Sequence, residues 1–169
     1  TRKESSAASD VYKRQSLKAM KLQELCARAH SRPLDEQEIA EFNAATGGLD
    51  STLGARYTAI SRGTVTMELE ITDRVTQPFG IVHGGVYSAL AESAASVGGL
   101  VATAGARGVA GISNSTDFVS SAAHGTITVT AQAVHCGKTL HLWNVTCTSG
   151  ERILAKSAVR LIVHSARMD

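Results

Sequence analysis

Aromatic side chains, cysteine and any excess of charge are all scarce in this chain. Each scarcity excludes something. One Trp, three Tyr and three Phe in 169 residues do not build the stacked platforms on which single-stranded nucleic acid lies. A formal net charge of +2 implies no strongly basic face, so nucleic acid is not expected as a partner. Cys26, Cys136 and Cys147 form no Cys-x-x-Cys pair. An odd, sparse set reads as reduced thiols, which points to a cytoplasmic protein rather than a disulfide framework. The six histidines show no His-x-x-x-His spacing, so neither a metal nor another cofactor is expected. Long apolar runs are missing too. The nearest, Val82 to Ala106, is interrupted by Glu92 and by several Ser and Gly, so no membrane partner is expected. No repeat and no secretory signal pattern is visible.

Residues 1–15 stand apart. Asp10-Val-Tyr-Lys-Arg-Gln15 matches the in-frame translation of the transposase mosaic end used in sequencing adapters; the alternative is a native basic tail. On either reading the segment is expected to be disordered or outside the fold, with Met20 one candidate start.

What remains is enough for one domain with a real core. Residues 16–48 read as a helical extension. Ser16 to His30 has helix formers with a loose apolar spacing and is ended by Pro33. Asp35-Glu-Gln-Glu38 opens a second helix with acids in its first turn, and Thr46-Gly-Gly48 closes it. Residues 49–165 form the main domain. Arg56–Ile60 and Thr64–Ile71, joined by Ser61-Arg-Gly63, predict a hairpin. In its second strand Val65, Met67, Leu69 and Ile71 alternate with polar residues, as on a half-buried strand. A loop from Thr76 to Gly85 follows, then a buried helix from Val86 to about Thr103. Four runs, Val109–Ser120, Thr126–His135, Thr139–Thr148 and Ile153–Val163, predict a four-strand meander. The layout is α+β, an antiparallel sheet wrapped around one long central helix.

The chemistry concentrates around that helix. Gly84 and Gly85 sit where it begins, and first-turn N–H groups have no partner inside a helix and lie at the positive end of its dipole. Glycine leaves them open to a ligand oxygen, which suits an oxyanion hole. Glu92 is the only charged residue between His83 and Arg107, and an ionised carboxylate in an apolar helix is costly unless it is paired or working. Ser96 lies one turn on, placed to orient that carboxylate. Gly84 and Glu92 are about 12 Å apart along a helix rising ~1.5 Å per residue, so one reacting carbonyl does not touch both within one chain. Either one of them is uninvolved or two chains pair. Other candidates are weaker. His135 and Cys136 are adjacent on a strand and point to opposite faces. His141 and Trp143 read as packing, and His124 as exposed.

Gln77-Pro-Phe-Gly-Ile-Val-His-Gly-Gly85 followed by Leu90-Ala-Glu-Ser93 and Ser96 resembles the hotdog-fold thioesterases of the phenylacetate-degradation-protein type. The likeness is greatest to those acting on 1,4-dihydroxy-2-naphthoyl-CoA, of menaquinone synthesis, and then on 4-hydroxybenzoyl-CoA. It runs from about Leu49 to His164. The resemblance implies an acyl-CoA thioesterase in which Glu92 is nucleophile or general base and the Gly84 N–H polarises the thioester carbonyl. It places Gln77, His83 and Gly85 near the carbonyl or acyl group, and gives Ser96 the task of holding Glu92 or the attacking water. It implies a homodimer at least, and a homotetramer built as a dimer of dimers, with each site shared between chains. It assigns the turn Gly137-Lys138-Thr139 to the CoA nucleotide, where Lys138 would pair with a phosphate. Ser120 stands where such enzymes often carry an Arg, and Asp117 and Phe118 depart from the pattern too, which leaves the acyl group open. The alternatives are a hydratase or dehydratase on the same fold and a non-catalytic acyl-CoA-binding protein.

Overall fold

The computed structural model describes the backbone of residues 2–164 and the side chains of residues 15–164. Three helices come first: α1 (Arg2–Ser31), α2 (Glu36–Ala45) and α3 (Gly48–Leu53). The expected helix over Ser16–His30 lies inside α1, whose backbone also takes in most of the segment 1–15. Thr1, the side chains before residue 15, and Ser165, where the main domain was expected to end, lie outside the described residues.

Local chemistry sets the helix ends. Asp35 caps α2 by accepting from the Glu38 N–H, and Glu38 reaches back to the Asp35 N–H, a reciprocal capping box. Glu38 is buried and also takes hydrogen bonds from Arg28 and Arg32, so the α1–α2 corner is fixed by charge-assisted bonds. The expected stop at Thr46-Gly-Gly48 is a brief break only. Thr46 ends α2, but Gly48 begins α3, which stops at Gly54, a residue in the left-handed region with φ of 83°.

Strands β1 (Arg56–Ser61), β2 (Thr64–Glu70), β3 (Val109–Phe118), β4 (Thr126–Cys136), β5 (Leu140–Ser149) and β6 (Arg152–Val163) form one antiparallel sheet in the order β1-β2-β4-β5-β6-β3. This corrects the predicted four-strand meander. Only β4, β5 and β6 follow one another. The helix α4 (Gly84–Ala102) carries the chain across the sheet, so β3 lands on the far edge beside β6 and β4 returns to pair with β2. Hairpin and alternation stand as expected: Val65, Met67 and Leu69 point into the core with Ile127, Val129 and Ala131.

The core lies between the concave face of the sheet and α4. Leu90, Ala91, Ala94, Ala95 and Val101 are fully buried, and Gly98 rests against the ring of Trp143. His141 and Trp143 are buried packing residues, and His124 is exposed. The other flank of α4, with Ala89, Glu92, Ser93, Ser96 and Leu100, is only partly covered. On that side α1 docks through Leu25, Cys26 and Ala29, all at 0% exposure. The His30 ring Nδ1 lies 2.8 Å from the Val101 carbonyl oxygen. Gly105, with φ of 68°, lets the α1 backbone approach so closely that a Cβ there would sit 2.3 Å from the Gln23 carbonyl oxygen.

Candidate active site

The loop before α4 is tied at both ends. Thr76 and Val82 form a bridge, Gln77 N–H donates to the Ile81 carbonyl, and the Gln77 side chain accepts from the Phe79 N–H at 2.8 Å. His83 is the N-cap of α4, and its Nδ1 accepts from the Gly85 N–H at 2.9 Å, which requires the ring proton on Nε2. Helix α4 therefore starts two residues before the predicted Val86, with both glycines inside its first turn. The Gly84 N–H has no acceptor among the described residues. It borders a pocket of about 530 Å³ lined by Gln77, His83, Gly85, Tyr87, Phe118 and Ser120. Phe118 covers Gly84 so closely that a Cβ there would lie 2.8 Å from its ring. Ser120, at the position noted for a missing Arg, donates its hydroxyl to the Ile153 carbonyl.

Glu92 sits elsewhere. It is exposed in the single chain, so the desolvation expected of it does not arise there. Among the described residues its one hydrogen bond is from Asn114 Nδ2 at 3.5 Å, and no cation pairs with it. The carboxylate of Glu92 lies over Gly111 of β3. The expected Ser96–Glu92 hydrogen bond is not formed: both residues line one cavity of about 600 Å³ without touching through hydrogen bonds. Spacing along the helix brings them to one flank, but the carboxylate leans towards β3 instead.

The same cavity holds a cluster that sequence reasoning missed. Asp50, 9% exposed, accepts from Tyr57 Oη at 2.9 Å and from Ser93 Oγ at 2.6 Å. Burial, and then the Asp50 charge, push the Tyr57 hydroxyl well above its ordinary pKa, so it stays a donor. No local signal could have found this set, because Asp50 meets partners seven and 43 residues away.

The predicted residues thus fall into three places. Gln77, His83, Gly84 and Gly85 line one pocket, and Glu92 and Ser96 another. Gly137, Lys138 and Thr139 line neither. They form the β4–β5 turn past the other end of α4, where Arg107 donates to the Lys138 carbonyl at 2.8 Å. Among the described residues no group of three His, Cys, Asp or Glu is placed to hold a metal, and no helix is long and apolar enough to cross a membrane.

Residues 79–156 match the family model described as Thioesterase superfamily. A 1,4-dihydroxy-2-naphthoyl-CoA hydrolase of Listeria monocytogenes is 35% identical over 121 residues, covering 71% of this chain and 98% of its own length. The chain belongs to the thioesterase superfamily. It is a thioester hydrolase with the hotdog fold. The 1,4-dihydroxy-2-naphthoyl-CoA hydrolase of Escherichia coli K12 is 31% identical over 99 residues, 59% of this chain and 73% of its own length. A solved thioesterase of Haemophilus influenzae superposes with a TM-score of 0.71 over 75% of this chain and 90% of its own; at 23% identity it speaks to the fold alone.

Proposed function

We propose that this thioesterase hydrolyses an acyl-CoA to the free acid and CoA at a site shared between two chains. The acyl group is aromatic, of the hydroxyaryl or dihydroxynaphthoyl kind, or of comparable medium size. One observation carries the reading: a single helix offers an unengaged N–H at Gly84 and an exposed, cation-free carboxylate at Glu92, in separate cavities. A thioester carbonyl needs a donor where its oxygen gains negative charge, and the Gly84 N–H at the positive end of α4 supplies it. Glu92 attacks the carbonyl carbon or takes the proton of the attacking water. When Glu92 acts as base, C–S cleavage gives the acid directly and the proton Glu92 took passes to the CoA thiolate; when it attacks, C–S cleavage leaves a mixed anhydride on Glu92, which water hydrolyses to the acid while its proton goes to the thiolate. Gln77, His83 and Gly85 line the carbonyl side, Ser96, which shares the Glu92 cavity, holds the attacking water, and Lys138 of the Gly137–Thr139 turn meets a CoA phosphate.

Strand β3 supports the pairing of chains. Among the described residues it is an edge strand bonded only to β6, and it exposes Ile112 and Phe118, with Val119 just beyond its end. Glu92 lies over its Gly111–Asn114 end, while the Gly84 pocket is bounded by Phe118 and Ser120 at the other. Two β3 edges paired antiparallel about a twofold axis set the Gly111 end of one against the Phe118 end of the next. Glu92 of one chain then faces Gly84 of its partner. The working form is a dimer at least, and a tetramer as a dimer of dimers.

A free-thiol assay over a panel of acyl-CoAs tests the reading. Release is expected from aromatic members, and Glu92→Gln should lose about a hundredfold or more of kcat with its melting temperature little changed. No release from any acyl-CoA would overturn the function, and near wild-type turnover by Glu92→Gln would overturn the role of Glu92.

A further inference from the structure

The N-terminal extension does more than cover the core. The cavity beside Glu92 is bounded by α4 on one side and on the other by the extension, here carried past residue 48 to include all of α3, through Leu22 of α1, Phe42 of α2, and Leu49 and Asp50 of α3. The extension is held there by the His30–Val101 contact, by the fully buried Leu25, Cys26 and Ala29, and by Asp50 itself, whose bond to Ser93 ties α3 to the residue next to Glu92. The Listeria relative is matched over 98% of its length yet accounts for 71% of this chain. Few residues follow the family match at Lys156, so most of the unmatched part precedes Phe79.

We propose that the extension forms the acyl-group end of the Glu92 site and sets which acyl groups this chain accepts. Leu22, Phe42 and Leu49 are its apolar wall and Asp50 its polar end. This rests on the thioesterase role of Glu92 given above. At about 600 Å³ the cavity has the size of a small-molecule pocket, roughly 300–1000 Å³, and takes an aromatic ring. A carboxylate has about four acceptor positions, and Tyr57 and Ser93 occupy only two of those on Asp50. The remaining capacity favours an acyl group bearing a hydroxyl donor over its unsubstituted analogue and disfavours one bearing an anion. Because Asp50 is anchored to Ser93, the wall stands at a fixed distance from the reacting carbon.

The test measures kcat/KM of the full chain for acetyl-CoA, benzoyl-CoA and 4-hydroxybenzoyl-CoA. Leu49 is 57% exposed, so Leu49→Trp should fold while narrowing the cavity. It is expected to lower the benzoyl-to-acetyl ratio about tenfold or more. Asp50→Asn should lower the hydroxybenzoyl-to-benzoyl ratio roughly fivefold or more. Ratios that stay within about twofold of wild type in both variants overturn the proposal, including the case in which all substrates slow by one factor. Wild-type turnover with unmoved ratios overturns this proposal alone. A wild type that releases thiol from none of the three, nor from any other acyl-CoA of the panel above, overturns the thioesterase reading and this one with it.

Discussion

Gly111 lies beneath Glu92, and adding one methyl group there moves the carboxylate without removing it. A Cβ at Gly111 would stand 2.6 Å from Glu92 Oε1 and 3.1 Å from its Cδ. One of the two must yield. Gly111 is on a strand, next to an irregularity in its pairing with β6, and its φ is not in the left-handed region, so alanine fits the backbone. Glu92 is exposed, and among the described residues its one hydrogen bond is the 3.5 Å contact with Asn114. The carboxylate therefore retreats, by roughly 0.5–1 Å, to reach ordinary contact distance. Displacement of a reacting group by about 1 Å can cost on the order of a hundredfold in rate. Stability should move by no more than about 0.5 kcal/mol, as for surface substitutions generally, with some gain from the stiffer unfolded chain. Gly111→Ala is thus expected to lower kcat/KM for an aromatic acyl-CoA by one to two orders of magnitude while its melting curve overlays the wild type. It should keep more activity than Glu92→Gln, since the carboxylate is still present. Wild-type kcat/KM in a folded Gly111→Ala protein would refute the placement of Glu92 at the reacting centre.

Two further predictions concern the scaffold. Gly98→Ala puts a Cβ 2.4 Å from Cη2 of Trp143, a ring 1% exposed with nowhere to go; overpacking of about 1–3 kcal/mol should outweigh the ~1 kcal/mol gained in helix propensity. The urea midpoint should fall, and a rise would contradict the tight α4–β5 contact. Glu38 is held at a pKa of about 2, below its usual 4.5, first by the Arg32 hydrogen bonds, then by the Asp35 N–H and by Arg28. A depressed folded-state pKa gives stability that is present above the unfolded value and lost as pH falls towards the folded one. The melting-temperature gap between wild type and Glu38→Gln should therefore be full above about pH 5 and close towards about pH 2. A gap independent of pH would refute the part played by the Arg32–Glu38 pair.

How much of this was legible in the sequence depends on the range of the interaction. The opening of α2 at Asp35-Glu-Gln-Glu38, the Ser61–Gly63 hairpin and the alternation of β2 are local, and each appears where its residues predict it. The helix start was nearly legible, since the His83-Gly-Gly run marks a terminus, though the glycines prove to be inside it. Strand order was not, because nothing in Val109–Phe118 says which edge it will join; α4 decides that by spanning the sheet. The short helix α3 was hidden by reading Gly47 and Gly48 as a stop. With it went Asp50, whose role depends on Tyr57 and Ser93 being folded against it. Ser96 shows the converse failure: helical spacing gives neighbourhood, but where Glu92 leans is set by Gly111 and Asn114, strand residues that no helical spacing can reveal.

If each site takes Glu92 from one chain and Gly84 from another, as proposed, two inactive variants restore activity when their chains are mixed. Glu92→Gln and Gly84→Val, each nearly inactive alone, are co-expressed in equal amounts and the assembled protein is assayed for thiol release from an aromatic acyl-CoA. In a heterodimer one site collects both substitutions and the other collects none. With random pairing about half of the dimers are mixed, so about a quarter of wild-type activity should return. If the mixture shows no more activity than its two components measured separately, the site is not shared between chains and the account is wrong.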